Sequence, residues 1–192
     1  QYFDFLKDLK ALDFFLITFE DLSTDVFPAD IVIIPYVGGG ALSFHKSVKS
    51  QYLLGPKFFQ VRKEFLNIKK NKFHHRVDNL LITMGGSDES QITAKVVKAF
   101  SKSKLNIHLI VVLGSLAQIT NEQVNALLSN YNGSFEVIND TQNMAELMNR
   151  SQLAITNSGL TKYEMGYMGL PAIVISNNSK HASLMEHYTS YG

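Results

Sequence analysis

From Asn79 onward the chain alternates between short apolar segments and longer amphipathic segments, and this alternation constrains the fold more than any other feature. The amphipathic segments carry apolar residues at helical spacing. Such alternation is typical of a parallel sheet whose strands are joined by crossover helices. The pattern predicts strands at 79–84, 106–113, 135–138, 153–156 and 171–176, and helices at 91–102, 120–131, 143–150, 161–168 and 181–190.

Residues 1–66 have a different pattern, which we interpret as the trailing part of another α/β domain. It predicts one helix and two strands, at 3–12, 14–19 and 31–34. The basic, polar segment 67–78 has the composition of a linker, so the predicted second domain covers 79–192. The chain begins at Gln1 without a methionine, and we therefore expect that an N-terminal part of the intact protein is missing.

Composition narrows the classes of function. The 192 residues are 45% hydrophobic and carry a formal net charge of +1, so no bulk field favours nucleic acid or an anionic membrane. The longest apolar run, 14–19, is far shorter than the ~20 residues of a membrane-spanning helix. There is no cysteine, and the six histidines lack the spacing of a metal site. We expect a cytoplasmic protein without a membrane span, a nucleic-acid partner, a metal or another cofactor.

Two glycine-containing turns follow predicted strands. The apolar run at 80–84 leads into Gly85-Gly86-Ser87-Asp88, and the run at 153–156 leads into Asn157-Ser158-Gly159, just before a helix that opens at Thr161. Backbone N–H groups in the first turn of a helix have no partner within the helix and can bind phosphate. Both turns lie at the carboxyl ends of strands in one parallel sheet, where ligands bind in such folds. The sequence therefore predicts a site for a phosphate-bearing small molecule, with the two turns side by side.

Four groups of residues occur in an order and spacing found in one enzyme family. They are Tyr52–Phe58 with Arg62, Glu64 and Phe65; Met84–Asp88; Asn143–Met148; and Ser158-Gly159 through Glu164 to Gly169-Leu170-Pro171. In these residues the chain resembles the UDP-sugar hydrolase family of pseudaminic acid biosynthesis and its spore-coat polysaccharide relatives. More distantly, the second half is similar to the donor-binding domain of the glycosyltransferase that makes lipid II, within the GT-B superfamily.

The resemblance implies an α/β fold, with a Rossmann-like parallel sheet flanked by helices as in GT-B C-terminal domains, and a UDP-sugar as ligand. It implies that backbone groups near Ile138 and Asn139 contact uracil, with Met144 close to the base, and that Glu164 accepts both ribose hydroxyls. The implied phosphate and sugar contacts are Gly85, Gly86, Ser87, Asp88, Ser158, Gly159, Leu160, Thr161 and Asn178. The family's suspected catalytic histidine lies in an N-terminal loop without a counterpart in these 192 residues, so the catalytic residues stay unassigned.

Each of these residues also has an ordinary structural interpretation. Ser87 or Asp88, and likewise Ser158, can cap the helix that follows, and Glu164 can belong to a capping box. The turn after Asn139 is also compatible with a plain strand-to-helix connection capped by Asp140 or Thr141. For the whole chain, the alternative to an enzyme is a non-catalytic α/β module that binds a nucleotide or a partner, because fold does not determine function.

Overall fold

The structure, a computed structural model, describes residues 2–19, 27–38, 49–68 and 75–176, together with 182, 185, 186 and 188. Its contacts divide the chain into two compact units. The first comprises Gln1–Gln60 and Ser183–Gly192, and the second comprises Val61–Ala182. Asn178 and most of the helix predicted at 181–190 lie outside the described residues.

The first unit contains a helix and a small parallel sheet. Helix α1 covers Tyr2–Ala11, and strands β1 (Ile17–Phe19), β2 (Ile31–Ile34) and β3 (Gln51–Leu54) lie in that order in the sheet. The helix and two strands expected from the sequence are present, although β1 begins three residues after the predicted start. Strand β3 was not predicted, because its apolar residues Tyr52–Leu54 form a run too short to show a period.

In the second unit strands and helices alternate as the sequence predicts. The elements are β4 (Asn79–Thr83), α2 (Ile92–Ser101), β5 (His108–Leu113), α3 (Asn121–Leu127), β6 (Phe135–Asn139), α4 (Met144–Asn149), β7 (Leu153–Asn157), α5 (Thr161–Met168) and β8 (Ala172–Ile175). These confirm the predicted elements between 79 and 176, with most ends within two residues. Helix α3 is shorter than predicted at its C-terminal end. At its start, the Thr120 hydroxyl and the Gln123 side chain form a reciprocal capping box.

The order of the strands places a crevice in the second unit. Within the described residues, five parallel strands lie in the order β6-β5-β4-β7-β8. The chain moves from β4 outward through β5 to β6, then returns to the opposite side of β4 and continues through β7 to β8. The strand order therefore reverses between β4 and β7, and in parallel sheets ligands bind outside the carboxyl ends of the strands at such a reversal.

Helices cover both faces of this sheet. Leu80 and Ile82 of β4 pack in a cluster with residues of α2 and α3, whereas Leu81 packs in a second cluster with residues of α4 and α5. Successive side chains of a strand point to opposite faces, which explains this division. Strands that are buried on both faces read as continuous apolar runs, and for this reason β4 and β5 were recognisable in the sequence. The fold is Rossmann-like, with a parallel sheet flanked by helices.

The contacts place the connecting segment before β4 in the second unit. Phe65 is fully buried in the cluster that contains Leu81 and Met165. The division between Gln60 and Val61 consequently falls earlier in the chain than the linker proposed at 67–78, of which 69–74 lie outside the described residues. None of the described helices combines the length and the hydropathy that crossing a bilayer requires.

Leu81 of the central strand β4 is fully buried against α4 and α5. We therefore expect Leu81→Ala to lower the free energy of unfolding of the second unit by about 2–5 kcal/mol. Leu105→Ala is the control, since that leucine is 52% exposed, and we expect a change within about 0.5 kcal/mol. Hydrogen exchange of the β5 amides measures the opening free energy of this unit alone. Equal effects of the two substitutions would contradict the assigned core.

Candidate functional site

The two glycine-containing turns lie next to each other, as the sequence predicts. Strands β4 and β7 are paired in parallel register, with Thr83 opposite Thr156, so the turns leave neighbouring strand ends. The Asn157 side chain connects them: its Nδ2 donates to the Met84 carbonyl at 2.5 Å, and its Oδ1 accepts from the Gly159 N–H at 3.0 Å. One amide side chain therefore fixes the spacing between the two turns.

A third turn, which follows β5, supports the first turn by close backbone contact. A Cβ atom added to Gly114 would lie 2.3 Å from the Gly85 carbonyl oxygen and 2.4 Å from that of Gly86. The Leu116 N–H donates to the same Gly86 carbonyl at 2.9 Å. Gly114 was not among the predicted site residues, although its place directly after an apolar strand was an available signal. In contrast, a Cβ on Gly86 would meet nothing within 4 Å, so this exposed glycine borders open space.

Asp88 acts as a cap for α2. Its side chain is buried, with Oδ1 accepting from the Ile92 N–H at 2.8 Å and Oδ2 from the Thr93 N–H at 2.9 Å. The capping interpretation thus describes the contacts of Asp88, while Ser87 beside it is half-buried. A protein carboxylate already occupies these first-turn donors of α2, so they are not available to a phosphate.

The second turn contains a buried cation that the sequence analysis did not select. The Lys162 Nζ donates to the carbonyls of Ser158 at 2.5 Å and Gly159 at 2.9 Å, and it lies 4.4 Å from the centre of the Tyr163 ring. Lysine is seldom buried unless its charge is paired or hydrogen-bonded, and most surface lysines are solvated. Sequence alone therefore gave no reason to expect this contact. The ammonium group places a positive charge at the turn where α5 begins.

Glu164 lies one turn into α5 and is buried against an arginine from the connecting segment. Its Oε1 accepts from Arg62 Nε at 2.8 Å, and its Oε2 accepts from Arg62 Nη2 at 3.1 Å. Arg62 Nη1 also lies 2.8 Å from Glu64 Oε1, and Glu64 Oε2 accepts from the Ala145 N–H at 3.1 Å. The hydrogen bonds to the Glu164 carboxylate raise the pKa of Arg62. A linear network of charges thus joins α5 to the first turn of α4.

The residues selected for the base fall into two neighbouring places. Ile138 packs against the apolar cluster that contains Met144, so these two side chains share one environment. Asn139 is exposed and lines a cavity of about 490 Å³ at the ends of β5 and β6, together with Asp140 and Gly114. Asn178 lies outside the described residues. Across the described ranges no group of three or more His, Asp or Glu side chains is placed to hold a metal ion.

The sequence of the second unit matches a known family. Residues 80–190, which make up more than half of the chain, match the glycosyltransferase family 28 C-terminal domain. The chain belongs to this family. Membership supports a nucleotide-sugar-binding, glycosyltransferase-like role and agrees with the GT-B resemblance noted in the motifs.

Two relatives match more of the chain than the family profile does. The chain is 33% identical over 196 residues to Uncharacterized protein MJ1062 of Methanocaldococcus jannaschii, covering 96% of this chain and 40% of that protein. It is 27% identical over 143 residues to Spore coat polysaccharide biosynthesis protein SpsG of Bacillus subtilis, covering 73% of this chain and 40% of that protein. The chain therefore spans well under half the length of either relative.

Comparison with a solved structure supports the assigned fold. The crystal structure of Acinetobacter baumannii MurG superposes with a TM-score of 0.64 at 15% sequence identity, covering 96% of this chain and 53% of that chain. At this identity the similarity shows a shared architecture and carries no information about the ligand.

Because a Cβ at Gly114 would overlap two carbonyl oxygens, we expect Gly114→Ala to displace the Gly85-Gly86 turn and to destabilise the second unit by about 1–3 kcal/mol. Gly86→Ala is the matched control: its Cβ enters open space and its φ is not positive, so the change should stay within about 0.5 kcal/mol. Thermal unfolding of both variants tests this. A destabilising Gly86→Ala with a neutral Gly114→Ala would refute the described packing of the turns.

Proposed function

We propose that this chain is the UDP-sugar-binding part of a larger, two-domain GT-B-like hydrolase or glycosyltransferase that acts in surface polysaccharide or nonulosonic acid biosynthesis. One observation carries the proposal: two glycine-containing turns, joined by Asn157, lie side by side where the strand order reverses. Family membership and the relative named for spore coat polysaccharide biosynthesis support the class of ligand and the pathway.

The diphosphate is assigned to the turn at Ser158–Thr161. Helix α5 begins at Thr161, and its first-turn N–H groups together with the macrodipole favour negative charge. The Lys162 ammonium adds a positive charge at the same turn. Asp88 gives α2 the opposite character, because a carboxylate already caps that helix. The two turns therefore differ in role: Ser158–Thr161 supplies positive potential, and Gly85–Ser87 supplies close approach of the backbone.

The nucleoside is assigned to the groups beside this turn. Glu164 lies one helical turn beyond Thr161 and offers a carboxylate that can accept two ribose hydroxyls. Uracil is assigned to the backbone near Ile138 and Asn139, with Met144 forming an apolar wall close to Ile138. Asn178 remains the proposed contact of the sugar or the β-phosphate.

In this mechanism the domain binds the leaving group. Breaking the bond between the sugar and the diphosphate leaves negative charge on UDP, and the fixed donors of the Ser158–Thr161 turn stabilise that charge as it develops. Asn157 accepts from the Gly159 N–H, and Lys162 donates to the carbonyls of Ser158 and Gly159, so the backbone of this turn is already fixed and needs little reorganisation during the reaction. The base that activates water or another acceptor is assigned to the N-terminal part of the intact protein.

Titration calorimetry with UDP, UMP and inorganic phosphate tests the assignment on this chain. We expect UDP to bind more tightly than UMP or phosphate. Glu164→Gln should lower the affinity for UDP by about tenfold or more, because a charged hydrogen-bond acceptor is lost. Glu146→Gln is the control, since Glu146 is an exposed glutamate on α4. No binding of UDP at millimolar concentration, where an affinity of about 4 kcal/mol is visible, would favour the non-catalytic, partner-binding module instead.

Gly86→Ala adds a second test of the ligand position. The fold tolerates a Cβ at this residue, so a loss of UDP affinity with unchanged thermal stability would mean that the ligand approaches the Gly86 backbone. We expect UDP affinity to fall at least about tenfold, in line with the loss of a hydrogen bond to a charged group. Unchanged affinity would remove the first turn from the ligand site.

A further inference from the structure

Arg62 joins two carboxylates that come from different parts of the second unit. It pairs with Glu164 of α5 through two parallel hydrogen bonds, of 2.8 and 3.1 Å, and with Glu64 at 2.8 Å. Two-point pairing of a guanidinium with a carboxylate fixes the orientation of both groups, which a single-point contact does not. The plane of the Glu164 carboxylate is thereby set by Arg62.

Burial makes Glu164 dependent on this partner. The Glu164 side chain is 9% exposed, whereas the Arg62 side chain is 48% exposed. A buried carboxylate without a counter-charge is strongly disfavoured, and removal of one partner from such a pair leaves that penalty uncompensated. Glu164 therefore depends on Arg62 for its counter-charge and its orientation, while Arg62 reaches solvent along part of its length.

Glu64 holds Arg62 in place and is itself anchored. Its second oxygen accepts from the Ala145 N–H in the first turn of α4, the helix that begins with Met144. Arg62 also lies 5.2 Å from the centre of the ring of Phe65, which is fully buried. The guanidinium is therefore held by two carboxylates and an aromatic face.

We propose that Arg62 is a positioning residue that presents the Glu164 carboxylate to the two ribose hydroxyls of the nucleotide. This inference rests on the function proposed above. An ionised carboxylate has about four lone-pair sites, and Arg62 uses one on each oxygen of Glu164. Among the contacts of the described residues, one site on each oxygen is left, which matches two neighbouring hydroxyls. Arg62 and the ribose are thus simultaneous partners of Glu164, not competitors.

The experiment compares the affinities of UDP and 2′,3′-dideoxy-UDP, because their ratio isolates the contribution of the ribose hydroxyls. In the parent chain we expect UDP to bind at least about tenfold more tightly. In Arg62→Met this ratio should fall to below about threefold, as in Glu164→Gln. In the double variant the ratio should fall no further than in either single variant, because both substitutions disrupt the same Arg62–Glu164 pair. Arg62→Lys should recover only part of the ratio, because an ammonium cannot make the two-point pair.

Two further measurements separate an effect on ligand binding from an effect on folding. Thermal unfolding shows whether each variant is folded. Glu64→Gln keeps the size of the side chain and removes its charge, so it should lower the ratio less than Arg62→Met does. If Arg62→Met does not fold, Arg62→Lys and Glu64→Gln carry the test, and an unchanged ratio in both would overturn the inference.

The outcomes separate this inference from the function on which it rests. A ratio that is intact in Arg62→Met but lost in Glu164→Gln would overturn the role of Arg62 and leave the UDP site standing. Tighter binding of UDP by Arg62→Met would also overturn it, because Arg62 would then compete with the ribose. Equal weakening of both nucleotides would mean a structural role only. A parent chain that binds no UDP would overturn the proposed function and this inference together.

Discussion

The parallel pairing of β4 with β7 is the constraint on which the candidate site depends. These strands are distant in the sequence, and their pairing is what brings the ends at Met84 and Asn157 together. Backbone groups at two neighbouring strand ends can converge on one ligand only if their spacing is fixed. Asn157 provides this by bonding to Met84 and Gly159 at once, so the sheet and the turns form one rigid support.

The two turns resemble each other in composition but differ in electrostatics. The carboxylate of Asp88 caps α2 and offsets the positive end of that helix. At α5 the ammonium of Lys162 bonds to the carbonyls of Ser158 and Gly159 and places a positive charge at the turn. This difference supports the proposed placement of the diphosphate at α5, and the two glycine-containing motifs alone did not reveal it.

The elements of the second unit were predictable because each depends on local pattern. Burial on both faces makes β4 and β5 continuous apolar runs, and glycines mark the turns that follow strands. The contacts that shape the site were not predictable in the same way. Gly114 is required by the backbone of a neighbouring turn, and Arg62 meets Glu164 across 102 residues. Such contacts exist only after the sheet has formed. Strand β3 was missed for a different reason, because its apolar run, Tyr52–Leu54, is only three residues long.

The segment that precedes β4 contributes residues to the charge network around Glu164 and is not a passive connection. Phe65 anchors it in the apolar cluster beneath α4 and α5, Glu64 caps α4 at Ala145, and Arg62 orients Glu164. Each contact constrains the next, because the buried ring fixes the backbone from which both charged side chains extend. The pairing of one guanidinium with two carboxylates leaves a net charge of about −1, which a neutral diol tolerates better than a phosphate does. These charges support the proposed assignment of the ribose to Glu164 and of the diphosphate to the Ser158–Thr161 turn, where the ammonium of Lys162 lies.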